Sequence, residues 1–416
     1  MVIDPPIQIG EPMLRFTARA HSIAEIEAQL ARMWAAQDLT TTIDGAPARH
    51  VAARTSVMNL VVIARSQEIA AHSAATIQAL TGRLPSRTMI IDSADADGPS
   101  WLDARVEAHC VLPREDAPET CAEMIHVTCG GESGRHLAAI ATPLILHDLP
   151  VTVWWPGEPP LDRTPAQDLL DVADRLVVDG STWSGNGLDR LGELAGLLET
   201  TRLAISDFAL VRQSRWREAI ASVFDDPDFL PYLRSLRRIA VTYATRDETG
   251  APGATNLVKP VYHVGWLASR LGLSVVRPLA PVAGHAPSTT SKVSRGPNAK
   301  PVVGRGLAAT LSDGRAEVGV VIRPVVSPMP AGTTLRVELL AERRGSELRA
   351  DVTAEAETVH VRVWQDGVEA LDRAFMAPRR TEVELLAEAI EATGRDTIAD
   401  GALRSAAAIT TGPMHR

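Results

Sequence analysis

A loop that follows a strand and opens a helix can offer its backbone N–H groups to a phosphate. Gly130, Gly131, Ser133 and Gly134 stand in such a place. Spacing limits what this loop can do. A dinucleotide loop needs Gly-x-Gly-x-x-Gly and a P-loop ends Gly-Lys-Ser/Thr, and the segment has neither. A nucleophile elbow would need glycine where Arg135 stands. The alternative reading is a plain turn.

Cys110, Cys121 and Cys129 fall within twenty residues, an odd number without zinc spacing. Cys110 and Cys121 lie near the two ends of a turn and could oxidise together. Buried, inert, reduced thiols are the expectation, because free cysteine is usually core. The eleven histidines give no H-E-x-x-H and no i, i+4 pair, so no metal site is expected. Asp148, Asp174 and Asp179 sit at strand ends, where capping or turn roles suit them. No Ser/His/Asp set assembles from spacing. No catalytic residue and no cofactor is expected, and the chain reads as a non-enzyme.

Two aromatic groups are candidates for binding a partner. Val151, Thr152, Val153, Trp154 and Trp155 are strong β-formers, stopped by Pro156 and Gly157. With period two, Trp154 and Trp155 point to opposite faces, as in a central strand covered on both sides. Both indoles then fill core, while the Pro156–Gly157 corner lies at a C-terminal strand end, where ligands and partners sit in open α/β sheets. In a helix over 254–271, Leu257, Val261, Val264, Ala268 and Leu271 make one stripe. Tyr262 and Trp266 lie on the other face beside Lys259 and Ser269. An exposed Tyr/Trp pair has the composition of an interface hot spot. The alternative is a helix buried on both sides.

The elements that must position these groups follow a β-α-β rhythm. A helix is expected over 15–38, with Ser22 and Glu25 as a capping box, then loop over 39–56. Strands at 57–64 and 87–92 flank a helix capped by Ser66, a parallel pair with a crossover. Alternation over 102–112 and 121–129 predicts an antiparallel hairpin at one edge of the sheet. A helix over 135–146, broken at Pro143, follows. After the Trp-Trp strand come helix 165–173, strand 175–179, helices 188–198 and 207–223, and strand 238–243. Four alternating strands are expected within 316–364, followed by two helices. The fold class is α/β, a mixed and mostly parallel sheet flanked by helices, with a smaller α+β C-terminal domain. The expected divisions are a helical segment 1–50, an α/β domain 51–277, a Pro/Ser/Gly-rich linker 278–306 and the α+β domain 307–416.

A formal net charge of −9 disfavours nucleic acid as a partner, since phosphate neutralisation needs clustered Lys/Arg. No apolar run approaches the 18 residues of a membrane span. The N-terminus has no signal-peptide pattern, so a cytoplasmic protein without a membrane partner is expected.

The runs LPVTVWWPGEPP at 149–160, Pro85-Ser86-Arg87, ADRLVVD at 173–179, and Trp216-Arg217-Glu218 followed by Phe224-Asp225 resemble the OpcA family. These are assembly proteins and activators of bacterial glucose-6-phosphate dehydrogenase. The resemblance runs from about residue 50 to the C-terminus and rests chiefly on WWPG together with ADRLVVD. It implies a protein that binds the dehydrogenase, promotes its active oligomer, activates it allosterically in the oxidative pentose phosphate pathway, and carries no cofactor of its own. The other class of function is a sugar-phosphate enzyme using the loop at 130–134.

Overall fold

Val and Ile dominate Asn59–Ala64, and all six residues are buried, as a strand covered on both faces requires. In the computed structural model this strand lies at the heart of a mixed sheet. The structure describes residues 10–35, 40–43, 46–49, 53–54, 56–95, 98–112, 114, 119–161, 164–246, 255–282, 300–301, 306–355 and 357–411. The chain forms two compact units. The first is Met1–Val178 with Thr201–Ala204 and Thr381–Gly394, and the second is Asp179–Thr200 with Ile205–Arg380 and Arg395–Arg416.

In the first unit, Asn59–Ala64 pairs in parallel with Arg87–Asp95 on one side and Val151–Trp155 on the other. Arg175–Val178 continues the parallel set beyond Val151–Trp155. The crossover between the first two strands is helix Gln67–Gln78, whose Ser66 cap accepts from the Ile69 N–H at 3.2 Å. Trp101–Val111 and Thr120–Gly130 form the expected antiparallel hairpin. Its place is corrected, however. Met13–Ala20 pairs with Trp101–Val111, so the hairpin is not at the sheet's edge.

That strand also corrects the first helix, which spans only Ile23–Ala35. Phe16, Ala18 and Ala20 alternate with polar residues ahead of it, the period of a strand. The Ser22 hydroxyl does accept from the Glu25 N–H, while the Glu25 carboxylate returns to the His21 N–H. Within 39–56, read as loop, the described residues include strands Thr40–Ile43, Ala46–Arg49 and Ala53–Arg54. Helix Glu382–Glu391, expected in the C-terminal domain, belongs to the first unit. Glu382 pairs with His72 at 2.7 Å and Glu391 with Arg83 at 2.6 Å. Arg175 donates to the Ala392 and Gly394 carbonyls just beyond that helix.

In the second unit one sheet runs, in spatial order, Ser274–Pro281, Leu307–Ser312, Glu317–Val326, Leu236–Thr245, Thr334–Arg343, Ser346–Glu355, Thr358–Gln365 and Val368–Met376. The four strands expected within 316–364 are present. Leu236–Thr245, from ahead of the expected linker, is inserted between Glu317–Val326 and Thr334–Arg343. The second sheet is therefore larger than a separate C-terminal domain would hold. Ser274–Pro281 is strand where the linker reading begins, and residues 283–299 and 302–305 of that reading lie outside the described residues. The helix expected over 207–223 is two, Phe208–Val211 and Ser214–Val223, preceded by strand Ala204–Asp207. Helix Val258–Leu271 packs against Thr397–Thr411 through Gly265. A Cβ there would lie 2.6 Å from the Ala402 carbonyl oxygen, so only glycine permits the approach. With two mixed sheets flanked by helices, the fold class is α/β, as expected.

Candidate functional site

Val151–Trp155 is buried at every position, with Trp154 0% and Trp155 2% exposed. Both indoles are core, one on each face of the central parallel strands. Pro156, Gly157 and Glu158 emerge half-buried at the C-terminal end of this strand. A Cβ on Gly157 would meet nothing within 4 Å, so the corner has open space beside it.

Tyr262 and Trp266 are not an exposed pair. Tyr262 is 0% and Trp266 9% exposed, and ten residues of helix Val258–Leu271 are buried. The physical reason is that this helix is covered on both faces, so its second aromatic face is core as well. Tyr262 is tied to chemistry that periodicity does not show. Its O–H donates to Asp207 Oδ2 at 2.8 Å, and Asp207 also accepts from the Gly180 and Ala209 N–H groups, each at 2.8 Å. Burial, with the charge of Asp179 added, pushes the Asp207 carboxyl up to about 6. Asp179 accepts from Ser181 and forms an ion pair with Arg212 at 2.7 Å. Asn256 closes the cluster, donating to the Gly180 and Trp183 carbonyls. Sequence reading found Asp179 as a strand-end residue but had no signal for Asp207.

At the candidate phosphate loop, glycine is required for close approach. A Cβ on Gly130 would lie 2.3 Å from the Trp101 indole nitrogen. One on Gly131, at φ 62°, would lie 2.7 Å from backbone atoms of Gly98 and Pro99. Ser133 and Gly134 lie in a 3₁₀ turn, Gly131–Arg135, whose Ser133 carbonyl accepts from the His136 N–H. The following helix, Leu137–Ala141, has five residues in place of the longer helix expected.

Cys110 and Cys121 occupy directly opposed positions of the hairpin and are joined in a disulfide. The expectation of reduced, separate thiols is corrected for this pair. The hairpin register places them face to face, with Cα atoms 4.0 Å apart. Cys129 is a buried free thiol, pushed up to about 11 by burial and the Asp92 charge. Reducing the bond, or Cys110→Ser, is expected to cost about 2–3 kcal/mol, because a short closed loop restricts the unfolded chain. Denaturant midpoints with and without reductant measure this, and equal midpoints would show that the bond contributes nothing.

Other buried carboxylates of the first unit are engaged as well. Burial raises the Glu107 carboxyl, but hydrogen bonds with His109 and His126 and the His126 and Arg105 charges hold it well below the usual range. Glu123 is bonded by both Arg87 and Trp34. Among the described residues, no helix is long and apolar enough to cross a membrane.

Residues 77–193 match the family model described as glucose-6-phosphate dehydrogenase subunit N-terminal domain, and residues 203–403 match its C-terminal domain. A putative OxPP cycle protein OpcA from Synechocystis sp. is 28% identical over 177 residues, 42% of this chain. The chain spans only 35% of that relative's length. Among solved structures, putative oxidoreductase yvaA from Bacillus subtilis has a TM-score of 0.45 at 11% identity, covering 85% of this chain and 95% of that one. An NAD-binding oxidoreductase from Klebsiella pneumoniae has 0.44 at 10%, covering 86% and 96%. Likeness at this level carries no argument about chemistry.

Proposed function

We propose, on the premise that this chain belongs to the OpcA family of glucose-6-phosphate dehydrogenase subunits, that it binds that dehydrogenase, promotes its assembly and raises its activity allosterically, without catalytic chemistry of its own. The observation that carries the reading is the match of both family domains, in order, across residues 77–193 and 203–403. The buried carboxylates agree with it, since Asp207, Glu107 and Glu123 are each held by structural partners. The setting proposed is the cytoplasm and the oxidative pentose phosphate pathway. The partner is a protein, with neither nucleic acid nor membrane.

With Tyr262 and Trp266 buried, the docking surface is proposed at the corner Pro156–Gly157. It lies half-exposed at a parallel strand end, directly after the two buried Trp. Gly157→Arg is expected to leave the melting temperature within about 2 °C, a change smaller than about 1 kcal/mol. It should weaken dehydrogenase affinity at least about tenfold, roughly 1.4 kcal/mol. The test mixes the chain with the dehydrogenase of the same source and reads co-elution, dehydrogenase rate and affinity. The absence of both co-elution and a rate change would overturn the function, and full affinity in Gly157→Arg would remove the corner.

A further inference from the structure

A cavity of about 310 Å³ opens within the second unit, between helix Val258–Leu271, helix Ser214–Val223 and the strands from Thr334 onward. That size suits a small metabolite. Among the described residues its lining includes Arg212, Arg215, Lys259, Arg379 and Arg380 and no Asp or Glu, in a chain whose net charge is −9. Two of these cations are already neutralised, Arg212 by Asp179 at 2.7 Å and Arg215 by Glu218 at 2.6 Å. Lys259 and Arg379 form no ion pair among the described residues, and the Arg379 guanidinium donates to the Met329 sulfur. Burial, then the charge of Arg212, lowers the Lys259 ammonium; the Asp179 and Asp207 charges act the other way, and the Arg379 charge is also felt there. Two cations without an ion-pair partner among the described residues, lining one partly enclosed space, favour a ligand carrying close to two negative charges. A phosphate monoester carries roughly −1.5 to −2 near neutral pH.

A second observation is independent of charge. Three side chains lining the cavity are buried and leave polar atoms without a partner: Gln213 Oε1, His263 Nδ1 and Nε2, and Thr334 Oγ1. Native structures seldom leave such atoms unpaired. Gln213 uses its amide N–H on the Lys259 carbonyl, at 2.8 Å, so its orphan atom is an acceptor that needs a donor. A phosphate dianion cannot supply one, but a hydroxyl can. Burial pushes His263 down to about 3, so its neutral ring offers one donor and one acceptor. The Thr334 hydroxyl can do either. Trp216, whose ring lies 5.2 Å from that of His263, adds an apolar wall for a carbon skeleton.

We propose that this cavity binds a small sugar phosphate, its phosphate held by Lys259 and Arg379 and its hydroxyls by Gln213, His263 and Thr334. The site is distinct from the loop at 130–134 and from the docking corner, and its assay contains no dehydrogenase, so it can fail or stand separately from the proposed function.

The test is calorimetric titration of the full chain with glucose 6-phosphate, fructose 6-phosphate and ribose 5-phosphate, and with glucose and inorganic phosphate as controls. At least one sugar phosphate should bind saturably, at least about tenfold tighter than either control. Arg379 is exposed, so Arg379→Glu leaves the fold intact and should weaken that binding about tenfold or more. Thr334→Val, which keeps the side-chain shape, should weaken it several-fold. The proposal is overturned if none of the three binds at millimolar concentration, if glucose or inorganic phosphate binds as tightly as the best of them, or if Arg379→Glu and Thr334→Val both keep full affinity.

Discussion

Trp155→Ala is expected to lower stability by about 3–5 kcal/mol, the range for truncating a buried aromatic to alanine. Trp155 is 2% exposed at the end of a strand whose five residues are all buried. It lies opposite Val178 on the neighbouring parallel strand, and the strand on the other side places Val62 against Trp154. Both faces are packed, so little can move in to fill the space an indole leaves. Trp155→Phe keeps most of the apolar area and should cost less than half as much, which separates cavity formation from any role of the indole N–H. Equilibrium denaturation of the two variants is the measurement. A Trp155→Ala protein with an unchanged midpoint would show that the indole is not core. In dehydrogenase binding, Trp155→Ala should act only through unfolding, in contrast to Gly157→Arg, which leaves the fold intact.

The Trp-Trp strand was legible because its information is local. Five β-formers bounded by Pro-Gly name a strand, and aromatics on both faces name a central one. The crossover helix was legible for the same reason, since Ser66 marks its start and apolar strands flank it. Helix Val258–Leu271 was found, but not its surroundings. A polar neighbour such as Lys259 argues for an exposed face only while nothing else covers that face. The covering helix, Thr397–Thr411, comes more than a hundred residues later in the chain. Gly265 was the available signal, because a glycine in mid-helix often marks a close approach.

Strand Val368–Met376 was missed although Asp366-Gly367 announces a two-residue hairpin turn, with both residues at positive φ. Its residues are largely exposed, so the hydrophobic alternation that reveals a strand is weak there. The disulfide was within reach. Once the two alternating runs are folded back on each other, Cys110 and Cys121 oppose one another, provided the register is known. Register depends on the turn, and the turn's residues gave no geometry. For helix Glu382–Glu391 the sequence shows its cap, Thr381 with Glu384, but not which sheet it returns to. At that destination it buries Leu385 and Leu386 and forms ion pairs with His72 and Arg83, about three hundred residues earlier. The cavity's polar lining is likewise drawn from distant segments, none of which forms a motif alone.

Asp207→Asn and His263→Phe are expected to reverse each other's dependence of stability on pH. The Asp207 carboxyl, raised to about 6 from an ordinary 3.8 by burial and by Asp179, prefers to stay protonated in the fold. Its contribution is fully present below pH 3.8 and is lost as pH rises through about 6, a swing on the order of 3 kcal/mol. His263 has the opposite sign. Burial, with the Arg217 charge, lowers it from 6.5 to about 3, so the fold resists its protonation. Its contribution is present above pH 6.5 and is lost as pH falls towards 3, a swing on the order of 4–5 kcal/mol. Between about pH 4 and 6 the two slopes oppose, and the native protein should show a shallow profile from these groups. Asp207→Asn keeps an oxygen for the Gly180 and Ala209 N–H groups, and its amide can donate to the Tyr262 oxygen. The fold should therefore survive, with the histidine slope left unopposed, so stability falls steeply as pH drops from 6.5 to 4. His263→Phe keeps a ring against Trp216 and removes that slope, so its stability should rise over the same descent. All other titrating groups are common to both proteins, so the difference in slope isolates these two. Denaturation midpoints of both variants at several pH values measure it. Parallel profiles would mean that neither group titrates away from its ordinary range in the fold.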